Sequence, residues 1–238
     1  MCGRARSNIR PVDIRRILDN VLNANTMEPS ASNHSNHTSP EDHFYNSAIM
    51  GENWEERIVN SADDLSPGMM MYVAFMDDKQ MIHIKPMLWG ITMNKLNLFN
   101  TQVEVLDQKP MYWKLATKNR GVVFVDGYYE WKSNGRGKPK TKYLVSPTQS
   151  DYFILPVLFN NTGKFAVLTQ DPVCNEVALI HHRQPVILSH QQTETWIRIQ
   201  NDAKTAWSNL LLSRLPTDKD GQIDATAAEH GIQCCILS

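Results

Sequence analysis

At 238 residues, 42% of them hydrophobic and 6 of them tryptophan, the chain is long enough for one domain with a full core. Lys plus Arg number 24 against 25 Asp plus Glu, so the molecule as a whole gives no field that draws in DNA or an anionic membrane; a polyanion would need a local patch. No apolar run approaches the ~20 residues that span a bilayer and no basic-then-apolar start reads as a secretory signal, while 4 cysteines without a CxxC pair point to reduced thiols in a nuclear or cytoplasmic compartment.

The chain opens Met1-Cys2-Gly3-Arg4. The small side chain at position 2 favours removal of the initiator methionine, which leaves Cys2 with a free α-amine and a thiol on one residue. The amine titrates at about 7.7–8.0 and the thiol near 8.5, so both are partly nucleophilic at neutral pH. An aldehyde attacked by both closes into a thiazolidine ring. The ordinary alternative is an unremarkable cysteine near a chain start.

Ile9 to Leu22 reads as an amphipathic helix, capped by Ser7 or Asn8, with Pro11 in its first turn and Ile14, Ile17, Leu18 and Val21 on one face. Arg4, Arg6, Arg10, Arg15 and Arg16 against Asp13 make a first basic patch. Residues 23–43 are Ser, Asn, His, Thr and Pro with little to bury, which predicts a mobile insert. Its His34, His37 and His43 read as solvated loop residues rather than metal ligands. Met70 to Met76 and Met81 to Leu88 are predicted strands around an Asp77-Asp78-Lys79 turn, and Trp89-Gly90 ends the second. Asn97 to Glu104 reads as a polar loop feeding a site, and Pro110 to Thr117 as a short helix.

Gly121 to Val125 is the clearest buried strand. It runs into Asp126-Gly127-Tyr128-Tyr129-Glu130-Trp131, where Gly127 permits a bulge or sharp bend. Lys132, Arg136, Lys138, Lys140 and Lys142 follow with no acid between them; this second basic patch reads as a solvated hairpin tip. Strands are expected at Lys142–Ser146, Tyr152–Phe159 and Lys164–Thr169, an apolar run at Val186–Leu188, and helices at Thr193–Ile199 and Ala203–Leu212. Many short strands with peripheral helices predict an α+β fold, a β-rich single domain with curved antiparallel or mixed sheets over 1–215, and a flexible tail over 216–238. No strand–glycine-loop–helix signature for a nucleotide is present.

Four residues suit one chemistry: Cys2, Asn100, Glu130 and His181. An aldehyde held as a closed hemiacetal must be opened by an acid–base group that then carries protons through an imine. A partly buried carboxylate and an imidazole are the groups whose pKa values are tuned toward neutrality. Taken singly, Glu130 is as well explained by a salt bridge and His181 by a structural imidazole.

The pieces Met1-Cys2-Gly3-Arg4, Tyr45-Asn46 with Ala48, Trp89-Gly90, Asn100 with Glu104, Lys109-Pro110, Val125 to Trp131 and Ile180 to Leu188 together resemble the SRAP family, the SOS response-associated peptidases. The resemblance spans about residues 2 to 190. It implies a β-rich α+β fold with a positively charged cleft, in which the N-terminal cysteine traps the ring-opened aldehyde of an abasic site in single-stranded DNA. By that likeness Cys2 supplies both nucleophiles, Asn100 positions the amine and sugar, Glu130 carries protons, and His181 assists ring opening. The family is also credited with exposing its own cysteine by autoproteolysis. The DNA-contacting set expected is Arg4, Arg6, Trp89, Gln102 and Arg183, with no metal and no cofactor, on a monomer.

Departures stand beside the likeness. Gln102 replaces a phosphate-binding arginine whose charged fork an amide lacks. Gln184 replaces a methionine, Ile49 a proline, and Ile91-Thr92-Met93 lacks the usual proline. These predict intact crosslinking chemistry on weaker, more salt-sensitive DNA binding. Two other readings stay open: an N-terminal-nucleophile cysteine peptidase or amidase, and a non-catalytic nucleic-acid-binding module. The ending Cys235-Ile236-Leu237-Ser238 fits a prenylation box, with Cys234 as a second lipid acceptor, and so predicts a membrane-associated fraction.

Overall fold

The computed structural model describes residues 3–23, 64–93, 96–173, 175–198, 200–212 and 232–236. The predicted insert, apart from Asn23 at the end of the first helix, lies outside them, as do Tyr45, Asn46, Cys2 and Cys174.

Alternation builds the centre of the molecule. Strand β2 (Met70–Met76) pairs with β3 (Ile82–Trp89) from Met70 opposite Leu88 to Met76 opposite Ile82. Asp77 shapes the turn between them: its carboxylate accepts from the N–H groups of Lys79 and Met81 at 2.9 and 2.8 Å, and pairs with His83 at 2.8 Å. Strand β7 (Arg120–Val125) lies against β2 on one side and β10 (Phe153–Phe159) on the other. Strand β11 (Lys164–Gln170) pairs with β10 and runs parallel to β3, which closes β10-β7-β2-β3-β11 into a barrel.

Successive residues of these strands fall into two cores, as a period of two requires. Met71, Val73, Trp89, Val123, Val125, Leu155, Val157, Phe165 and Val167 form one. Ala74, Met76, Val122, Phe124, Ile154, Leu158 and Leu168 face the other, where α1 (Pro11–Asn23), α2 (Pro110–Lys118), α4 (His190–Ile197) and α5 (Ala203–Leu212) cover the sheet. Ser7 and Asn8, expected to cap α1, reach across to the end of β7 and the residue after it instead. Ser7 Oγ donates to the Phe124 carbonyl at 2.8 Å, and Asn8 donates twice to Asp126 at 3.0 Å.

At Gly127 the chain leaves the barrel and enters a second sheet, ordered β1 (Ala5–Arg6), β8 (Gly127–Lys132), β9 (Thr141–Pro147) and β13 (Ile232–Ile236). A Cβ on Gly127 would meet the Val145 carbonyl oxygen at 2.7 Å, so only glycine lets β9 approach. Gly90, at φ +132°, likewise releases the chain from β3 into a small hairpin of β4 (Ile91–Met93) and β5 (Leu96–Leu98).

Three places differ from expectation. The polar run after Asn97 includes a strand, β6 (Asn100–Gln102), parallel to β11, followed by a single 3-10 turn at Val103–Val105. The stretch after Ile180 keeps only a two-residue strand, β12 (Gln184–Pro185), preceded by a one-turn helix α3 (Asn175–Ala178). Within the predicted flexible tail, β13 pairs with β9 from Ile232 opposite Pro147 to Ile236 opposite Tyr143, because the β9 edge offers an unpaired ladder.

Candidate active site

The site lies where the barrel frays. Along β11, β3 gives way to β6 on one flank and β10 to β12 on the other. Asn100 opens β6 opposite Val167, and the chain before β12 carries His181 and Arg183. The adjoining β8 contributes Glu130.

Glu130 is 2% exposed and its Oε2 stands 3.9 Å from Nδ1 of His181. Burial pushes its carboxyl up to about 7, against the pull of the chain's positive amino terminus and of the Trp131 backbone N–H. The pair is thus a carboxyl half-protonated near neutrality beside an imidazole, rather than the ordinary salt bridge that was the alternative for Glu130. The Oε1 atom is buried and accepts no hydrogen bond from the described residues. His181 is held by Arg183, whose backbone N and O both lie 3.1 Å from Nδ1. Burial lowers the His181 pKa; the Arg183 backbone contact opposes this, while the amino terminus, His182 and Lys140 add to the lowering. At neutral pH the imidazole is therefore uncharged and can accept a proton from, or return one to, a carboxyl in this range.

The start of the chain is led to the same place. Ala5 and Arg6 pair with Tyr128 and Gly127, and the Tyr129 N–H donates to the Arg4 carbonyl at 2.9 Å. That antiparallel register carries Gly3 toward Glu130. On its other flank Ala5 exchanges two backbone hydrogen bonds with Leu65, at 2.7 and 2.8 Å.

Arg183 and Trp89, expected to touch DNA, are internal. Arg183 is 6% exposed and its guanidinium forks onto both oxygens of Glu104 at 3.0 and 2.9 Å, while also donating to Asp171 at 2.7 Å and the Thr169 carbonyl at 2.7 Å. It ties the turn after β6 to the His181 loop. Trp89 is 1% exposed, stacks on Phe165 and donates its indole N–H to the Phe99 carbonyl at 2.9 Å. Gln184 is buried as well, its amide oxygen accepting from the Val173 N–H at 3.1 Å. Gln102 is exposed, and Arg4 reaches Asp64 at 2.6 Å while Arg6 lies 3.9 Å from Asp126. Arg120 was missed by the sequence reading: fully buried beneath α4, it donates to the carbonyls of Trp196, Ala116, Arg198 and Asn201. Only its charge within an apolar strand hinted at this. Among the described residues no three His, Cys, Asp or Glu side chains gather as metal ligands.

Residues 1–227 match the family model of the SOS response associated peptidase, SRAP. The chain belongs to the SRAP family. Among its SRAP relatives, the abasic site processing protein YMR114C of Saccharomyces cerevisiae is 27% identical over 90% of this chain and 59% of its own length. The abasic site processing protein YedK of Escherichia coli is 23% identical over 60% of this chain and 67% of its own. The chain thus spans 59% of the yeast SRAP protein's length. A phage-related protein of Bordetella bronchiseptica shares the fold with a TM-score of 0.63 at 17% identity, over 99% of this chain and 94% of that one.

Proposed function

We propose that this chain processes abasic sites in single-stranded DNA by trapping the sugar aldehyde on Cys2 once that residue is the amino terminus. The observation that carries the reading is Glu130: a sealed carboxyl with a pKa of about 7, 3.9 Å from a neutral His181, on the strand that pairs with the chain start. Cys2 is bonded to Gly3, so its α-carbon is about 3.8 Å from that residue's.

Each step needs a proton moved. Glu130, ionised, takes the proton from the sugar C1 hydroxyl and delivers it to the ring oxygen, and the aldehyde opens. The Cys2 amine adds to it; a proton delivered to the carbinolamine hydroxyl lets water leave, giving an imine. The Cys2 sulfur then adds to the imine carbon and its proton passes to nitrogen, closing the thiazolidine with no net oxidation. Glu130 and His181 exchange the protons, and Asn100 orients the amine and sugar.

The decisive measurement is a denaturing gel of wild type, Cys2→Ala and Glu130→Gln with an oligonucleotide carrying one abasic site. Wild type should give a covalent adduct and Cys2→Ala none, while Glu130→Gln should react at least ~100-fold more slowly, the typical worth of a general acid–base group. Adduct from Cys2→Ala would overturn the reading. A reversible shift without adduct would identify a binding module, and turnover of an amide without an aldehyde an N-terminal-nucleophile hydrolase.

A further inference from the structure

The arginines of the first basic patch are engaged within the protein. Arg4 pairs with Asp64, Arg6 with Asp126, and Arg10 and Arg16 with Asp13, while Arg15 donates to the Ile82 carbonyl. Arg183 is engaged inside the barrel end, and position 102 is an uncharged glutamine. Lys132, Arg136, Lys138, Lys140 and Lys142 contrast with these: eleven residues hold five cations and no acid, and none of the five forms an ion pair among the described residues.

These cations stand on a built surface. The β8–β9 hairpin extends the strand that bears Glu130, with Glu130 opposite Tyr143 and Lys132 opposite Thr141. Its tip is folded by Asn134, whose amide donates to the Pro139 carbonyl at 2.7 Å and to Thr141 Oγ1 at 2.9 Å, and by the Lys138 N–H on the Gly135 carbonyl at 3.2 Å. Arg136, Lys138 and Lys140 are exposed, and the charge of Lys140 is felt at His181. Lys142 lies 4.1 Å from the Tyr129 ring centre and 5.6 Å from that of Trp131, which keeps it at the root of the hairpin.

We propose that the β8–β9 hairpin is the phosphate-binding arm of this chain, holding the single-stranded DNA backbone that flanks the nucleotide at Glu130 and His181. This rests on the function proposed above for where the nucleotide sits, although the arm's affinity for DNA is measured separately. At about 3.3 Å per residue, Lys132 lies about 7 Å along β8 from Glu130, and the tip cations lie beyond it. A strand seated at the carboxyl therefore meets these charges next.

The test is reversible binding of the full chain to an oligonucleotide with a tetrahydrofuran abasic analogue, which has no aldehyde, across a salt series. Each single-strand phosphate contact contributes about 0.7 to the slope of log affinity against log salt. The triple variant Arg136→Gln, Lys138→Gln, Lys140→Gln should lower that slope by about 2. Lys79→Gln, Lys114→Gln, Lys118→Gln, an equal charge change on the β2–β3 turn and α2, should leave it unaltered. A hairpin variant with the wild-type slope, an equal loss in the control, or no binding by wild type overturns the proposal. A parallel wild-type reaction with a natural abasic site separates the two claims: without adduct the covalent reading fails, while the slope still decides the arm.

Discussion

A carboxyl sealed from water beside an uncharged imidazole costs stability whenever it ionises. In the unfolded chain Glu130 titrates near 4.5, and in the fold at about 7. The neutral form is the one the fold prefers, so the stability is complete below pH 4.5. It declines as pH rises through about 7 and levels off above, a loss of roughly 3 kcal/mol at most. Glu130→Gln should therefore raise the urea midpoint relative to wild type at pH 8.5, with the gap closing toward pH 4.5. A gap of the same size at both pH values would mean that the carboxyl titrates in the fold as it does in the unfolded chain. The same group contributes to the pH dependence of the proposed chemistry: the adduct should form faster as pH rises through 7, and Glu130→Gln should keep only the later rise that follows deprotonation of the Cys2 amine at about 7.7–8.0. The sequence shows a glutamate after an apolar strand; it cannot show that the Oε1 atom is buried without a donor among the described residues.

Among the elements, those with their own pattern were legible. β2, β3, β7, β10 and β11 alternate between two cores, and α1, α2 and α5 fall within two residues of their predicted bounds. β6, β12 and β13 were not, because a strand of two to five residues is too short to show a period of its own and is defined by the ladder it joins. The bend between β7 and β8 was readable in outline from Gly127, but its reason, the Val145 carbonyl 2.7 Å from any Cβ, belongs to a strand 18 residues later. Gly127→Ala should force β9 aside and destabilise the protein by about 1–3 kcal/mol. Thermal unfolding checks this; an unchanged midpoint would show that the second sheet yields without cost.

For the whole molecule, near-neutral charge conceals an uneven distribution. Carboxylates pair with most of the arginines near the chain start, while the cations of one hairpin form no ion pair among the described residues. The sequence located both basic patches, yet which of them is engaged depends on Asp13, Asp64 and Asp126 arriving in space. It also brought forward Glu104 and Arg183 as separate motif pieces, where folding makes them one strut between the end of the barrel and the His181 loop. Glu104→Ala leaves the Arg183 guanidinium buried with only Asp171 opposite, which should cost about 3 kcal/mol, at the low end for breaking a buried pair. A wild-type denaturation curve for that variant would show that Asp171 suffices.

The two-sided seating of Ala5, between Tyr128 and Leu65, has a mechanical consequence. A cargo covalently joined ahead of Gly3 would be fastened to a strand stitched along both borders, one of which continues through Gly127 into the barrel wall. A motor hauling on that cargo would have to rip two seams before the chain start came free, so the tether should outlast any grip that depends on the hairpin's charges alone.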